Sequence, residues 1–315
     1  MIIGHSKQLQ FLKKSAELGR IPHAILFCGQ EQLGKKTLAI EFAKSINNGI
    51  ENDANFDFIL LGPKDGPSTS LRTSKGEIQI SQVRDLIWRL SLKSYTASFK
   101  IAIIDNAHLM TNEAQSCFLK LLEEPKGDTI LILITSHPGM ILPTIRSRVQ
   151  ELKFFPVSAV DIKEYLESQK ISYEKTKHIL SVCLGRPGKA IELASDQEKL
   201  NSQNKIIADL LRIQGSDLAM RFQYAKDLLG ANYEQEDERE SVKKILDVWL
   251  GYFRTIFLFT LSEVEGHGTQ SGPGFSSYPL PKLANIIKLI QSTDHLFSTT
   301  NINQKLAFEL LLLEI

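Results

Sequence analysis

Residues 24–46 read Ala24-Ile-Leu-Phe-Cys28, then Gly29-Gln-Glu-Gln-Leu-Gly34, then Lys35-Lys36-Thr37-Leu38, then Ala39-Ile-Glu-Phe42-Ala43-Lys-Ser-Ile46. A short apolar run, a turn, and apolar residues at 38, 42, 43 and 46 predict a buried strand, a glycine-rich loop and an amphipathic helix. Gly29-x4-Gly34-Lys35 fits the phosphate-loop pattern, in which backbone N–H groups and a helix N-terminus surround phosphates and the lysine reaches their outer oxygens. The pattern asks next for a Ser or Thr hydroxyl to ligate Mg²⁺, and Lys36 stands there. An ammonium has no lone pair to offer a metal. Thr37 comes one residue late, rotated by roughly 100° around the helix. The loop is therefore damaged at its metal.

Outward from this loop, the first half alternates strands and helices. A helix is expected over 5–18, a strand over 56–61, a loop over 62–68, and a helix after Ser81 carrying Val83, Leu86, Ile87 and Leu90. Lys100-Ile-Ala-Ile-Ile-Asp105-Asn106 reads as a buried strand that delivers a carboxylate to the sheet edge, where it could hold a nucleotide's metal. Asn106 can orient water but cannot take its proton. Loss of a general base costs about 10²–10⁴ in rate. Thr111 offers an N-cap for a helix ending before Pro125. Residues 129–135 read as a strand buried on both faces, with Thr135 at its ligand-facing end. A last strand is expected over 152–155. The fold class is thus an α/β P-loop domain, a parallel sheet with flanking helices.

The chain has 315 residues, enough for two or three domains at about 150 residues each. Lys plus Arg total 37 against 36 acidic residues, so no global field steers the chain to nucleic acid. No apolar stretch is long enough to span a bilayer, and no signal peptide opens the chain, which predicts a cytoplasmic protein. Cys28, Cys117 and Cys183 are scattered in apolar contexts, the setting of reduced core thiols.

Ile3-Gly4-His5, His23-Ala24-Ile25-Leu26-Phe27, Ile104-Asp105-Asn106-Ala107-His108-Leu109-Met110, Leu119-Lys120-Leu121-Leu122-Glu123-Glu124-Pro125 and Leu142-Pro143-Thr144-Ile145-Arg146-Ser147-Arg148 follow one another in order. Together they resemble the delta-prime family of bacterial DNA polymerase III clamp-loader subunits, which are of the AAA+ type. The closing run from Asn301 to Leu312 is similar to the last helix of that family's collar domain. The resemblance implies an AAA+ domain over 1–156, a helical lid over 157–200 and a helical collar over 201–315. It also implies that Arg148, in the family's Ser-Arg-Cys element, reaches the ATP of a neighbouring gamma/tau subunit. Thr135 falls near the sensor-1 position, and Gly188 stands where active relatives carry a sensor-2 arginine. Many relatives carry a four-cysteine zinc module, whereas residues 47–80 contain no cysteine, so no zinc is expected.

Beyond Pro156 the pattern is helical. Segments are expected at 161–169, 173–183, 190–194, 201–213, 216–229, 241–261, 281–298 and the C-terminus, with a break at 185–188. The acidic run 233–240 reads as a connector and 266–281 as a mobile loop. Val242, Leu246, Trp249, Phe253, Phe257 and Leu261 form a broad apolar stripe, a bundle core that could face a partner in part. Lys36, Lys64, Lys75 and Lys100 read as ordinary exposed lysines.

Two functions from different classes follow. The first is a non-hydrolysing clamp-loader subunit that donates Arg148 in trans, with gamma/tau and delta subunits, the sliding clamp and primed DNA as partners. The second is a gamma/tau-type ATPase working through Lys35 and Asp105. In either case the degenerate nucleotide site comprises Gly29, Gly34, Lys35, Lys36, Thr37, Asp105, Asn106 and Thr135, with ATP or ADP bound weakly if at all. A small-molecule P-loop kinase is disfavoured, for want of an acceptor site.

Overall fold

The computed structural model describes residues 2–47, 57–63, 76–92, 99–125, 127–230, 235–264, 279–299 and 304–315. They divide into two compact units, one of residues 1–168 with 185–189 and one of residues 169–184 with 190–315.

The first unit runs α1 (Ser6–Glu17), β1 (Ala24–Cys28), α2 (Lys35–Ile46), β2 (Phe58–Leu61), α3 (Ile80–Ser91), β3 (Lys100–Ile104), α4 (Asn112–Glu123), β4 (Thr129–Thr135), α5 (Pro143–Arg146), β5 (Gln150–Lys153) and α6 (Ala159–Ser168). All strand pairs are parallel, in the order β2-β3-β4-β1-β5. The inner strands β1, β3 and β4 are buried at every position, as helices on both faces require. Side chains alternate across the sheet. Leu26, Ala102, Ile104, Leu131 and Leu133 pack with α3 and α4 on one face, and Ile25, Phe27, Ile101, Ile103, Ile130 and Ile132 pack with α1 and α2 on the other. This three-layer α/β architecture, a parallel sheet with flanking helices, is the fold class expected of the first half. β1 lies between β4 and β5, so the chain direction across the sheet reverses there, where α/β sheets bind their ligands.

Local readings shift in places. α3 starts at Ile80, before Ser81, because Gln82 turns back to accept the Gln79 backbone N–H at 2.9 Å. β5 begins at Gln150, two residues early, since its register is set by pairing with Ile25–Cys28 rather than by its own polar sequence. The strand expected from Phe56 is seen over Phe58–Leu61. Phe56, the loop beyond Pro63, Lys64 and Lys75 lie outside the described residues. Lys100 is buried, contrary to expectation, and donates to the carbonyls of Arg89, Leu90 and Leu92 at the C-terminal end of α3. A cation there satisfies carbonyls that the helix leaves unpaired.

The second unit is helical: α7 (Tyr173–Cys183), α8 (Pro187–Ser195, which starts in the first unit), α9 (Gln197–Gln214), α10 (Leu218–Gly230), α11 (Gln235–Val264), α12 (Leu280–Thr299) and α13 (Gln304–Glu314). Pro187 and Gly188 begin α8 instead of breaking the chain, because proline suits the first helical turn. Residues 235–240, expected as a connector, belong to α11, since Glu, Gln and Arg are good helix formers. α12 starts at Leu280, inside the expected loop, of which residues 266–278 lie outside the described set. Val242, Leu246, Trp249 and Phe253 point into the bundle, and Trp249 stacks on Phe308 at 5.4 Å. These four positions of the stripe are core, and Phe257 is partly buried against them. Among the described residues, α13 carries an exposed apolar stripe at Leu306, Leu310 and Leu313. No helix among the described residues is long and apolar enough to cross a membrane.

Candidate functional site

β1, β4 and β3 lie side by side, so the loop after Cys28, Thr135 and Asp105 share the carboxyl edge of the sheet. The Gly29 N–H donates to the Thr135 carbonyl at 3.3 Å, tying the loop's start to β4. Gly34 takes φ +87° at the N-cap of α2, a conformation that glycine reaches without the Cβ clash. No side chain caps that helix and no acid stands in its first turn. The first amides of α2 thus face the loop without an N-cap side chain to accept them.

Lys35 is 6% exposed and donates to the carbonyls of Gly29 and Gln30 across the loop. Burial pushes its pKa down to about 8, against the opposing pull of Glu31 and Asp105. Lys36 leaves the helix toward β3 instead of toward solvent. Its Nζ lies 3.1 Å from Asp105 Oδ2, with the two side chains 48% and 20% exposed. The other Asp105 oxygen, Oδ1, accepts the Asn106 backbone N–H at 3.1 Å. Asn106 sits at φ +52°, a left-handed position that asparagine tolerates better than most residues. Thr37 is exposed on the next face of the helix.

These residues do not fit a magnesium–nucleotide site. Magnesium wants about six oxygens at roughly 2.0–2.1 Å. The residue that should supply the hydroxyl supplies an ammonium instead, and that ammonium is already bonded to the carboxylate a metal would use. Among the described residues, no three His, Cys, Asp or Glu side chains cluster as a metal site would.

Other neighbours of the loop come from distant parts of the chain, and His5 among them has no signature in the sequence. His5, 28 residues upstream, meets the Leu33 carbonyl through Nε2 at 2.9 Å and sits edge-on to Phe154 at 4.9 Å. Its pKa is lowered, chiefly by burial. The buried Thr135 hydroxyl lies 3.2 Å from His108 Nδ1 and accepts the His137 N–H at 3.0 Å. The group expected near sensor-1 thus bonds within the protein. Ser136 reaches Glu31 of the loop at 3.5 Å. Gly188 donates its N–H to the Gln32 carbonyl at 2.8 Å, and a Cβ on Gly188 would stand 2.9 Å from that same oxygen. The start of α8 is therefore seated on the phosphate loop, too close for any side chain at 188.

Arg148 makes its bonds elsewhere. It follows α5, exposed, with Nη2 3.0 Å from Glu123 Oε1 at the end of α4 and Nη1 donating to the Thr144 carbonyl at 3.0 Å. Arg146 differs: its Nε and Nη2 both donate to Glu151 Oε1, at 2.9 and 2.7 Å. An ion pair as exposed as Arg148–Glu123, 40% and 53%, contributes about 0–1 kcal/mol. Arg148 can leave it at little cost.

Comparison with known proteins follows the same lines. A family model described as DNA polymerase III, delta subunit, matches residues 4–158. The delta' subunit of DNA polymerase III from Bacillus subtilis is 32% identical over 214 residues, 63% of this chain and 62% of that protein. The delta' subunit of Pseudomonas aeruginosa is 28% identical over 158 residues, 45% of this chain and 46% of its own. The gamma/tau subunit of Mycobacterium bovis is 30% identical over 162 residues, 49% of this chain and 28% of its own. The matches thus span less than two thirds of each relative's length. The family match over residues 4–158 and these delta' relatives make the first half of the chain similar to delta' subunits of DNA polymerase III.

Proposed function

We propose that this chain is a clamp-loader stator of the delta-prime type. It sits in a hetero-oligomeric ring with gamma/tau and delta subunits, in the cytoplasm, and the ring loads a sliding clamp onto primed DNA. Its own phosphate loop turns over little or no ATP. Arg148 is the group it contributes, donated in trans to the ATP of a neighbouring subunit. There the guanidinium stabilises charge on the phosphate being transferred, an effect worth about 10³–10⁵ in rate where arginines act this way in GTPases. The observation that carries this reading is the Lys36–Asp105 ion pair, which replaces a metal ligand with a cation at the loop. In support, Arg148 is exposed and held by a surface pair with Glu123 and a hydrogen bond to the Thr144 carbonyl. The division into an AAA+ domain (1–156), a lid (157–200) and a collar (201–315) is part of the proposal, and the α13 stripe of Leu306, Leu310 and Leu313 is its sister-subunit face. The chain's own nucleotide, ATP or ADP held by Lys35 and the loop amides, binds weakly.

The test is the ATPase activity of a complex reconstituted with gamma/tau and delta subunits, clamp and primed DNA. Arg148→Ala slows the assembled complex sharply, and the chain alone is inert. An assembled Arg148→Ala complex with undiminished activity would sink the arginine role. Steady turnover by the pure chain, abolished by Lys35→Ala, would instead establish the gamma/tau-type ATPase.

A further inference from the structure

A divalent ion at a phosphate loop brings two positive charges to the phosphate oxygens and anchors them to an acid at a strand end. This chain brings one charge to the same acid by another route. Lys36 is the second residue of α2, and its stem carries the ammonium from the helix start to Asp105 at the end of β3. Both oxygens of Asp105 are engaged, Oδ2 by Lys36 and Oδ1 by the Asn106 N–H. Beside it, Lys35 is buried with its ammonium on two loop carbonyls, and α2 opens on Gly34, an N-cap without a side chain.

We propose that Lys36 is a covalently tethered cation standing in for the divalent ion, so that this loop takes the phosphates of a nucleoside di- or triphosphate without metal. The proposal rests on the reading of the loop as a degenerate nucleotide site. An ammonium is donor-only. It therefore pairs with phosphate oxygens and with Asp105 at once, as the ion would, and its positive charge repels a second cation from the same acid. One charge in place of two makes the binding weaker than in a metal-assisted loop. It also makes the binding indifferent to chelators.

The experiment titrates fluorescently labelled ADP and ATP into the full chain, in excess Mg²⁺ and in EDTA, for the wild type, Lys36→Thr and Lys36→Thr/Asp105→Asn. Lys36 is half exposed, so its replacement leaves the fold in place, which circular dichroism checks. The wild type is expected to bind equally in both media, within about twofold. Lys36→Thr frees the carboxylate and restores the hydroxyl, so it binds at least about tenfold more tightly in Mg²⁺, a gain of about 1.4 kcal/mol. The added Asp105→Asn change removes that gain. A wild type that binds at least about tenfold more tightly in Mg²⁺, or a Lys36→Thr variant indifferent to Mg²⁺, would overturn the tethered cation while leaving the nucleotide site standing. A wild type that binds no nucleotide in either medium overturns the proposal as well, and if Lys36→Thr also binds none, the nucleotide-site reading falls with it.

Discussion

The phosphate loop and the corner between α4 and α5 each hold a basic side chain on a carboxylate at about the same distance, 3.1 Å for Lys36–Asp105 and 3.0 Å for Arg148–Glu123. As bonds they are alike, and as functional statements they are opposites. Asp105 stands at the end of a buried central strand, and its second oxygen is also taken, so the pair consumes the acid that a metal would need. Glu123 is an exposed residue on the last turn of α4, and its pair with Arg148 is one that costs little to break. The meaning of a salt bridge depends on what its acid would otherwise do.

Four measurements press on this contrast. The largest effect is expected at the corner: Arg148→Ala lowers the turnover of the reconstituted complex by about 10³ or more. Arg146→Ala, which removes a guanidinium already committed to Glu151, leaves turnover within about tenfold. Equal losses would mean that the corner acts through its fold and not through one arginine. Next comes the seat of α8 on the loop. Gly188→Ala forces a methyl against the Gln32 carbonyl and costs about 1–3 kcal/mol in denaturant unfolding. A loss below about 0.5 kcal/mol would show that the loop yields freely.

The third measurement uses Lys35. Its folded-state pKa, about 8, lies below the ordinary lysine value of 10.5, so between these values the unfolded chain binds more protons. Below pH 8 both states carry the proton and the cost of the buried ammonium is fully present. As the pH climbs from about 8 toward 10.5 that cost is relieved, and stability rises by up to about 1.4 kcal/mol per pH unit against the background. Lys35→Met should remove this component, and unchanged profiles would place the ammonium in water. The smallest effect belongs to Glu123→Ala, which shifts stability by under about 0.5 kcal/mol and complex turnover by no more than about threefold, the factor that energy corresponds to. If it matched Arg148→Ala, Glu123 would be a positioning residue and the comparison above would fail.

Much of the first unit was legible in the chain because its signals are local. β1, β3 and β4 announce themselves as apolar runs, the loop by its glycines, and α4 by Thr111, whose hydroxyl accepts the Ala114 N–H at 3.2 Å. β5 was displaced because an edge strand with polar residues is defined by its partner rather than by its own pattern. Lys100 read as a surface lysine and is buried, since the carbonyls that receive it come from the end of a different helix. His5 and Gly188 belong to the loop's surroundings only through contacts across 28 and 156 positions of chain.

The sequence by itself determined that a metal ligand is missing at position 36, since that is a matter of residue type and helical spacing. It equally determined the inner strands β1, β3 and β4, the loop and the family resemblance. Only the tertiary structure decided what the substitute does. Lys36 and Asp105 lie 69 positions apart, and nothing in either segment says that an ammonium on α2 spans to the end of β3. The parallel sheet sets that distance by placing β4 between β1 and β3, and so turns a lost hydroxyl into a tethered charge.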